Sequence, residues 1–354
     1  MVSQPVQELD SRARAVLRTL IHEYIREGRP VGSRRLAKLY AENLSPATLR
    51  NVMADLEEAG YLRQPHTSAG RVPTPEGYRY YVKSLLRRRR LSGRESAAVL
   101  ESLHAEKDPE ALMDRASRLL SSATNSIGIV LAPPLSRSTL RHIEFLRLRS
   151  DRILVILVAQ SGLVQHRLVP VEATPSQAEL DEAARYLVEN FSGLTLAEIR
   201  NRLQQLMRRE QARYDRLLRN VVYLGTTTLS EGAGEDDTPA QLFLDGASRV
   251  AQRMGTEEFD QLMEILEALE EKRRIVEILS YCLQNEDEEP IVTVGLEACV
   301  PGMTEWTVIA ARFVSDEGST GTLGVLGPAR MEYGRAIGVV DCVARAFNEL
   351  IREN

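Results

Sequence analysis

The stretch LSPATLRNVMADLEEAGYLRQPHTSAGRVPTPEGYRYYV, residues 44–82, decides how the N-terminal part of this chain folds. Ser45 can cap a helix, and Pro46 falls at the first helical position, where its missing N–H costs nothing. Gly60 is placed to end that helix. Leu49, Val52, Met53 and Leu56 recur at helical spacing and form an inward stripe. YLRQ and GRVP then flank PHTSA like the two sides of a hairpin, and Thr74-Pro75 starts another helix running into the basic block Arg87 to Arg90. A loop this rich in polar side chains fits an active-site loop, a metal-binding corner, a docking loop or a nucleic-acid contact.

The residues before it narrow the choice. Leu9, Ala13, Val16, Leu17, Leu20, Ile21 and Tyr24 keep helical spacing up to Gly28. After a Pro/Gly turn, Ser33 is placed to cap a short helix with Leu36, Ala37 and Tyr40 inward. Three helices, a proline-bearing hairpin and a fourth helix are the order of a winged helix-turn-helix. Its third helix would leave Thr48, Arg50, Asn51, Asp55 and Glu58 outward. Arginine matches the O6 and N7 edge of guanine, and asparagine the N6 and N7 edge of adenine. Ser33, Arg34 and Arg35 stand at a helix start, where phosphates are commonly held. His66, Thr67, Ser68 and Arg71 are expected to offer donors to phosphate or the minor groove from a wing spanning 64–73. Tyr78, Tyr80 and Tyr81 are expected to pack that wing onto the helical core or onto the segment that follows.

Charge agrees with this reading. Residues 1–94 carry 18 Lys and Arg against 9 Asp and Glu, a net of +9; the remainder carries 27 against 41, a net of −14. A basic head on an acidic body suits a nucleic-acid binder with an effector or assembly module. The 354 residues are long for one domain. No apolar run is long enough to span a bilayer, and the opening MVSQPVQELD lacks a signal pattern, so no membrane partner and a cytoplasmic location are expected. Cys282, Cys299 and Cys342 are widely spaced and form no CxxC pair, which reads as buried thiols in a reducing compartment. His22, His66, His104, His142 and His166 make no metal spacing, and Gly321, Gly324 and Gly327 do not make GxGxxG. No GxSxG or P-loop occurs. No enzyme, no metal and no cofactor is the expectation.

The remaining chain changes texture twice. Residues 91–124 read as a helical bridge broken at Asp108-Pro109. Within 125–195, β-rich runs (NSIGIVLAPP, IEFLRLRS, DRILVILVAQ, GLVQHRLVPV) precede the helix PSQAELDEAARYLVENF. Residues 289–354 return to strands and close with a long helix. Together these two parts make an α+β sandwich of the PAS/GAF type plausible. Between them, 196–288 reads as a mainly helical insert. Phe259, Leu262, Met263, Leu266, Leu269 and Val276 line a wide apolar stripe on its last helix, covered either by intramolecular packing or by a second copy. A head that reads a palindrome needs a dimer, and this block is the candidate to supply it.

The stretch at 44–82 is also very similar to the N-terminal signature of the bacterial heat-inducible transcription repressors (the HrcA family). GVLGPARMEYGRAIGVV near the C-terminus resembles that family's closing motif, departing from it conservatively at Ala329 and Glu332. The resemblance covers essentially the whole chain. It implies the same order of parts: winged helix (1–90), linker (91–124) and a GAF-like domain (125–195 and 289–354) interrupted by a dimerising domain (196–288). It implies a homodimer that binds an inverted-repeat operator of double-stranded DNA upstream of chaperone and chaperonin operons, on the nucleoid. It further implies dependence on the chaperonin for the active fold, so that heat, by diverting chaperonin, releases the operator. A fold held only a few kcal/mol above its threshold, with a dimer set by mass action, can convert folding capacity into operator occupancy. A winged-helix regulator that uses the GAF-like domain to sense a metabolite is the alternative, and a protein-only scaffold a more distant one.

Overall fold

The computed structural model describes residues 9–39, 44–66, 69–86, 91–106, 108–134, 137–149, 152–160, 162–171, 175–210, 241–253, 272–283, 290–314 and 319–353. At the N-terminus, α1 (Ser11–Glu27), α2 (Ser33–Leu39) and α3 (Pro46–Glu58) are followed by the short strands β1 (Leu62–Arg63) and β2 (Val72–Pro73), then α4 (Pro75–Tyr80). The caps are local chemistry. Asp10 accepts from the Ala13 N–H, Ser45 from Thr48 and Thr74 from Gly77. Pro46 and Pro75 each open a helix, and Gly28, at φ 69°, closes α1 with its N–H on the Tyr24 carbonyl.

Val16, Leu17, Leu20 and Ile21 of α1 meet Leu36 of α2 and Leu49, Met53 and Leu56 of α3 in one closed core. Each side chain so buried contributes about 1.5–3 kcal/mol. β1 and β2 pair antiparallel, Leu62 opposite Pro73, and a bridge between Val31 and Arg71 ties the hairpin to the turn before α2. Against this hairpin α4 sits closely: a Cβ on Gly77 would overlap the Tyr61 carbonyl oxygen, which already accepts from the Thr74 N–H at 3.1 Å. Gly77→Ala is therefore expected to cost about 1–3 kcal/mol through overpacking. Amide hydrogen exchange of the hairpin would read the loss, and unchanged protection would contradict it.

The body holds two sheets. In the first the strand order is β7-β3-β10-β9-β8, all neighbours antiparallel, from β3 (Ile127–Leu131), β7 (Leu242–Asp245), β8 (Ile291–Val294), β9 (Trp306–Val314) and β10 (Thr320–Pro328). Both its faces are covered. Val130, Ile309, Phe313, Leu323 and Val325 pack in the cluster that holds α5 (Gly93–His104), α6 (Pro109–Thr124) and α11 (Tyr333–Glu353). On the opposite face Ile127, Ile129, Val308, Ala310 and Leu326 pack with Val250 of α9 (Ala247–Arg253) and Ile275, Ile278, Leu279 and Cys282 of α10 (Lys272–Leu283).

The second sheet is the meander β4 (Leu140–Arg149), β5 (Arg152–Ala159) and β6 (Val164–Pro170). Ile143, Phe145, Ile153, Val155 and Leu157 form its buried face, with Leu180, Ala183 and Leu187 of α7 (Gln177–Phe191) in the same core. α8 (Leu196–Glu210) follows, with Leu196, Ile199 and Leu203 buried.

The strands of 125–195 do not share one sheet with those of 289–354, because β4, β5 and β6 pair only with one another while β3 alone joins the C-terminal strands. Their short separations in sequence favour local antiparallel pairing. Within the block 196–288, LFLD forms an edge strand, and α9 and α10 cover the second face of the five-stranded sheet. Val276 is half-buried on α10, whose apolar face is thus spent on intramolecular packing. Phe259, Leu262, Met263, Leu266 and Leu269 lie outside the described residues.

Candidate nucleic-acid interface

Burying Leu49, Met53 and Leu56 turns the other side of α3 outward. Arg50, Asn51, Asp55 and Glu58 are exposed along it. Thr48 is half-buried, its hydroxyl 2.9 Å from that of Ser45, so it belongs partly to the cap of α3. At the start of α2 the N–H groups of Arg35 and Leu36 both reach the Gly32 carbonyl. Ser33 is thus the first residue of α2 rather than its cap, and it is buried, while Arg34 beside it is exposed.

Two of the expected phosphate-binding arginines are tied down. Arg35 Nε donates to Glu23 Oε1 at 2.7 Å, and Glu23, only 5 % exposed, also meets Arg26 Nη2 at 2.7 Å. The Glu23 hydrogen bond, then its charge, holds Arg35 more firmly protonated than usual. Arg71 Nε lies 2.8 Å from Glu57 Oε2, which ties the second strand of the hairpin to α3. These pairs orient the head's own parts, α2 on α1 and the hairpin on α3. A buried glutamate is costly unless paired, so Glu23 on the inward stripe with Val16 and Leu20 was the available signal for the first of them.

At the hairpin tip, His66 is exposed, its carbonyl accepting from the Ala69 N–H, while Gln64 Nε2 donates to the Ala69 carbonyl at 3.0 Å. Thr67 and Ser68 lie outside the described residues. The structure therefore brings Arg34, Arg50, Asn51 and His66 to the surface of one small head, with Arg35, Arg71, Ser33 and Thr48 supporting it. The chemistry on offer is hydrogen-bond donation to an anionic or base-edge partner. Among the described residues no group of His, Cys, Asp and Glu could hold a metal. Burial pushes the Cys282 thiol up to about 11, which keeps it protonated at neutral pH.

The tyrosines are the residues whose placement says most about the rest of the molecule. Tyr78 and Tyr81 are buried, with ring centroids 5.9 Å and 6.2 Å from that of Tyr333 at the start of α11. Tyr80 stays in the head, 5.1 Å from Tyr61. A helical head whose α3 turns a polar side outward, joined by an aromatic seam to a two-sheet body, defines a class of two-part molecules.

Comparison with known proteins sharpens that class. Residues 110–337 match the family model for the HrcA protein C terminal domain. A heat-inducible transcription repressor HrcA from Geobacter sulfurreducens is 38% identical over 345 residues, 97% of this chain and 98% of the relative. One from Syntrophobacter fumaroxidans is 36% identical, covering 98% of this chain and 99% of the relative. A crystal structure described only as a hypothetical protein aligns over 98% of both chains with a TM-score of 0.58 at 21% identity, a likeness of fold. This chain belongs to the HrcA family of heat-inducible transcription repressors. That is a family of transcription repressors and not of enzymes. No helix among the described residues is long and apolar enough to cross a membrane.

Proposed function

We propose that this chain is a heat-responsive repressor of chaperone and chaperonin operons. It binds an inverted-repeat operator as a homodimer through a winged helix-turn-helix and leaves it when heat diverts chaperonin. The observation that carries the reading is the exposed pair Arg50 and Asn51 on a helix whose opposite face is locked into the core. A rigid helix with bidentate donors near its N-terminus is the geometry that major-groove readout needs. Arg34 at the start of α2 and His66 at the hairpin tip then flank that helix as backbone contacts. Mobility shift on the operator is expected to show preference over random duplex of about 10³ or more, with affinity falling steeply as salt rises. Binding equal on both, or none, would remove the repressor reading. A ligand-sensing role inside the five-stranded sheet is less supported, since apolar side chains fill both of its faces.

The dimer finds support in the three-stranded sheet. Register places Leu146, Leu154 and Leu168 side by side on the face away from α7, with Ile156, Val158 and Val164 on the same side. Leu148 is 53%, Leu168 50% and Val164 43% exposed. These side chains, interspersed with His142, Glu144 and His166 on the same face, offer an interaction surface, and a two-fold pairing of two such faces would cover it. Leu168→Glu is expected to shift the protein from dimer to monomer in sedimentation velocity and to weaken the inverted repeat more than a half-site. A variant that sediments as the wild type would remove this face from the dimer.

A further inference from the structure

The two motifs farthest apart in sequence meet in space. Tyr78 and Tyr81, which follow the hairpin, pack on Tyr333, whose hydroxyl donates to the Ala329 carbonyl at 2.7 Å. Around this contact Arg79 Nε donates to the Val294 carbonyl at 2.9 Å and Arg63 Nη2 meets Glu305 Oε1 at 2.7 Å. On the other side Arg330 reaches the end of α1. A Cβ on Gly28 would overlap its guanidinium, so the glycine answers two demands at once, the left-handed cap and the room for Arg330. A cation there faces the negative end of the α1 dipole. These contacts continue the buried cluster of the head into that of the body. Beside it a cavity of about 640 Å³ separates Tyr24, Ile25 and Pro75 of the head from Ser122, Met331 and Arg335 of the body.

A head held by these named contacts on one side of a cleft can tilt when one of them is lost. In a two-fold dimer that tilt sets the distance and rotation between the two reading helices. Half-site spacing follows from the same geometry, because recognition helices must enter grooves about one helical turn apart, or a multiple of it. Nothing in α3 itself measures that distance.

We propose that the seam formed by Gly28, Tyr78, Tyr81, Arg330 and Tyr333 fixes the tilt of the head on the body and so selects the half-site spacing the repressor accepts. The inference rests on the operator-binding reading above. Base recognition then resides in α3, and spacing recognition in a joint that touches no DNA.

The test uses the full chain and three duplexes: the footprinted repeat, the same half-sites moved apart by about half a helical turn, and a single half-site. Wild type is expected to prefer the native spacing by about tenfold or more. Arg330→Ala, which removes an exposed side chain, and Gly28→Ala, which displaces it, are expected to bring that ratio close to one while half-site affinity changes less than about twofold. Tyr333→Phe, which keeps the ring against Tyr78 and Tyr81, is expected to retain the preference. An unchanged spacing ratio in both Arg330→Ala and Gly28→Ala would overturn the inference. So would a loss equal on all three duplexes, since that is general damage to the head. Wild type failing on every duplex would overturn the repressor reading itself, and the role of the seam with it.

Discussion

Replacing Arg50 and Asn51 together by alanine is expected to weaken operator binding by about 3 kcal/mol or more, roughly a hundredfold. Each bidentate side-chain-to-base pair is worth about 1–3 kcal/mol of discrimination. The two residues are adjacent, so their effects need not add, and both single variants belong in the experiment. Both side chains are exposed, and the inward stripe of α3 does not include them. The thermal midpoint should therefore stay close to that of wild type. Titration against operator and random duplex separates the roles: a loss confined to the operator assigns the pair to bases. An equal loss on random DNA would assign it to phosphate.

Leu49→Ala, one residue away, is expected to do the opposite. Leu49 is fully buried between α1 and α2 in the head's core, and removing three carbons there costs about 2–5 kcal/mol as transfer and cavity terms. In a chain with several cooperative units the loss should appear locally, as reduced hydrogen-exchange protection of α3 amides, with the β9–β10 pair unaffected. Operator affinity then falls only by the fraction of heads that have opened, and it recovers on cooling. Unchanged α3 protection would mean that this core does not hold the reading helix in place. Neighbours in sequence thus report on two different links: Leu49 on the stability of the scaffold, Arg50 on recognition.

How far the chain could be read without coordinates differs by feature. The caps at Ser45 and Thr74 and the prolines after them were legible, because a cap is a contact within three residues. So was the division of α3 into buried and exposed sides, since a 3.6-residue period needs no partner to be seen. Strand partnership was not. LFLD at 242–245 looks as much like part of a helix as an edge strand, and only its pairing with β3 decides the matter. The separate pairing of β4, β5 and β6 is equally a choice among partners distant in sequence. At the candidate interface, residue types were visible but their commitments were not. Arg34 and Arg35 look alike in the sequence and both are exposed, yet Arg35 is held in place by its hydrogen bond to Glu23. Arg71 pairs with Glu57 across the head for the same reason: an ion pair between elements has no signature in either element alone. The packing of Tyr78, Tyr80 and Tyr81 was expected on the core or on the following segment; Tyr80 meets Tyr61 and Tyr81 meets His22 within the head, while Tyr78 and Tyr81 also reach Tyr333, more than 250 residues further along the chain.

The proposed function requires this chain to occupy a symmetric operator and to surrender it when its folded state is no longer supported. Footprinting of the purified protein on DNA upstream of chaperone and chaperonin operons tests this most directly, with and without chaperonin, before and after mild heating. A protected inverted repeat is expected in the unheated protein, with loss of protection on heating and its return when chaperonin is supplied. Protection that survives heating regardless of chaperonin, or the absence of any symmetric protected site, would contradict it.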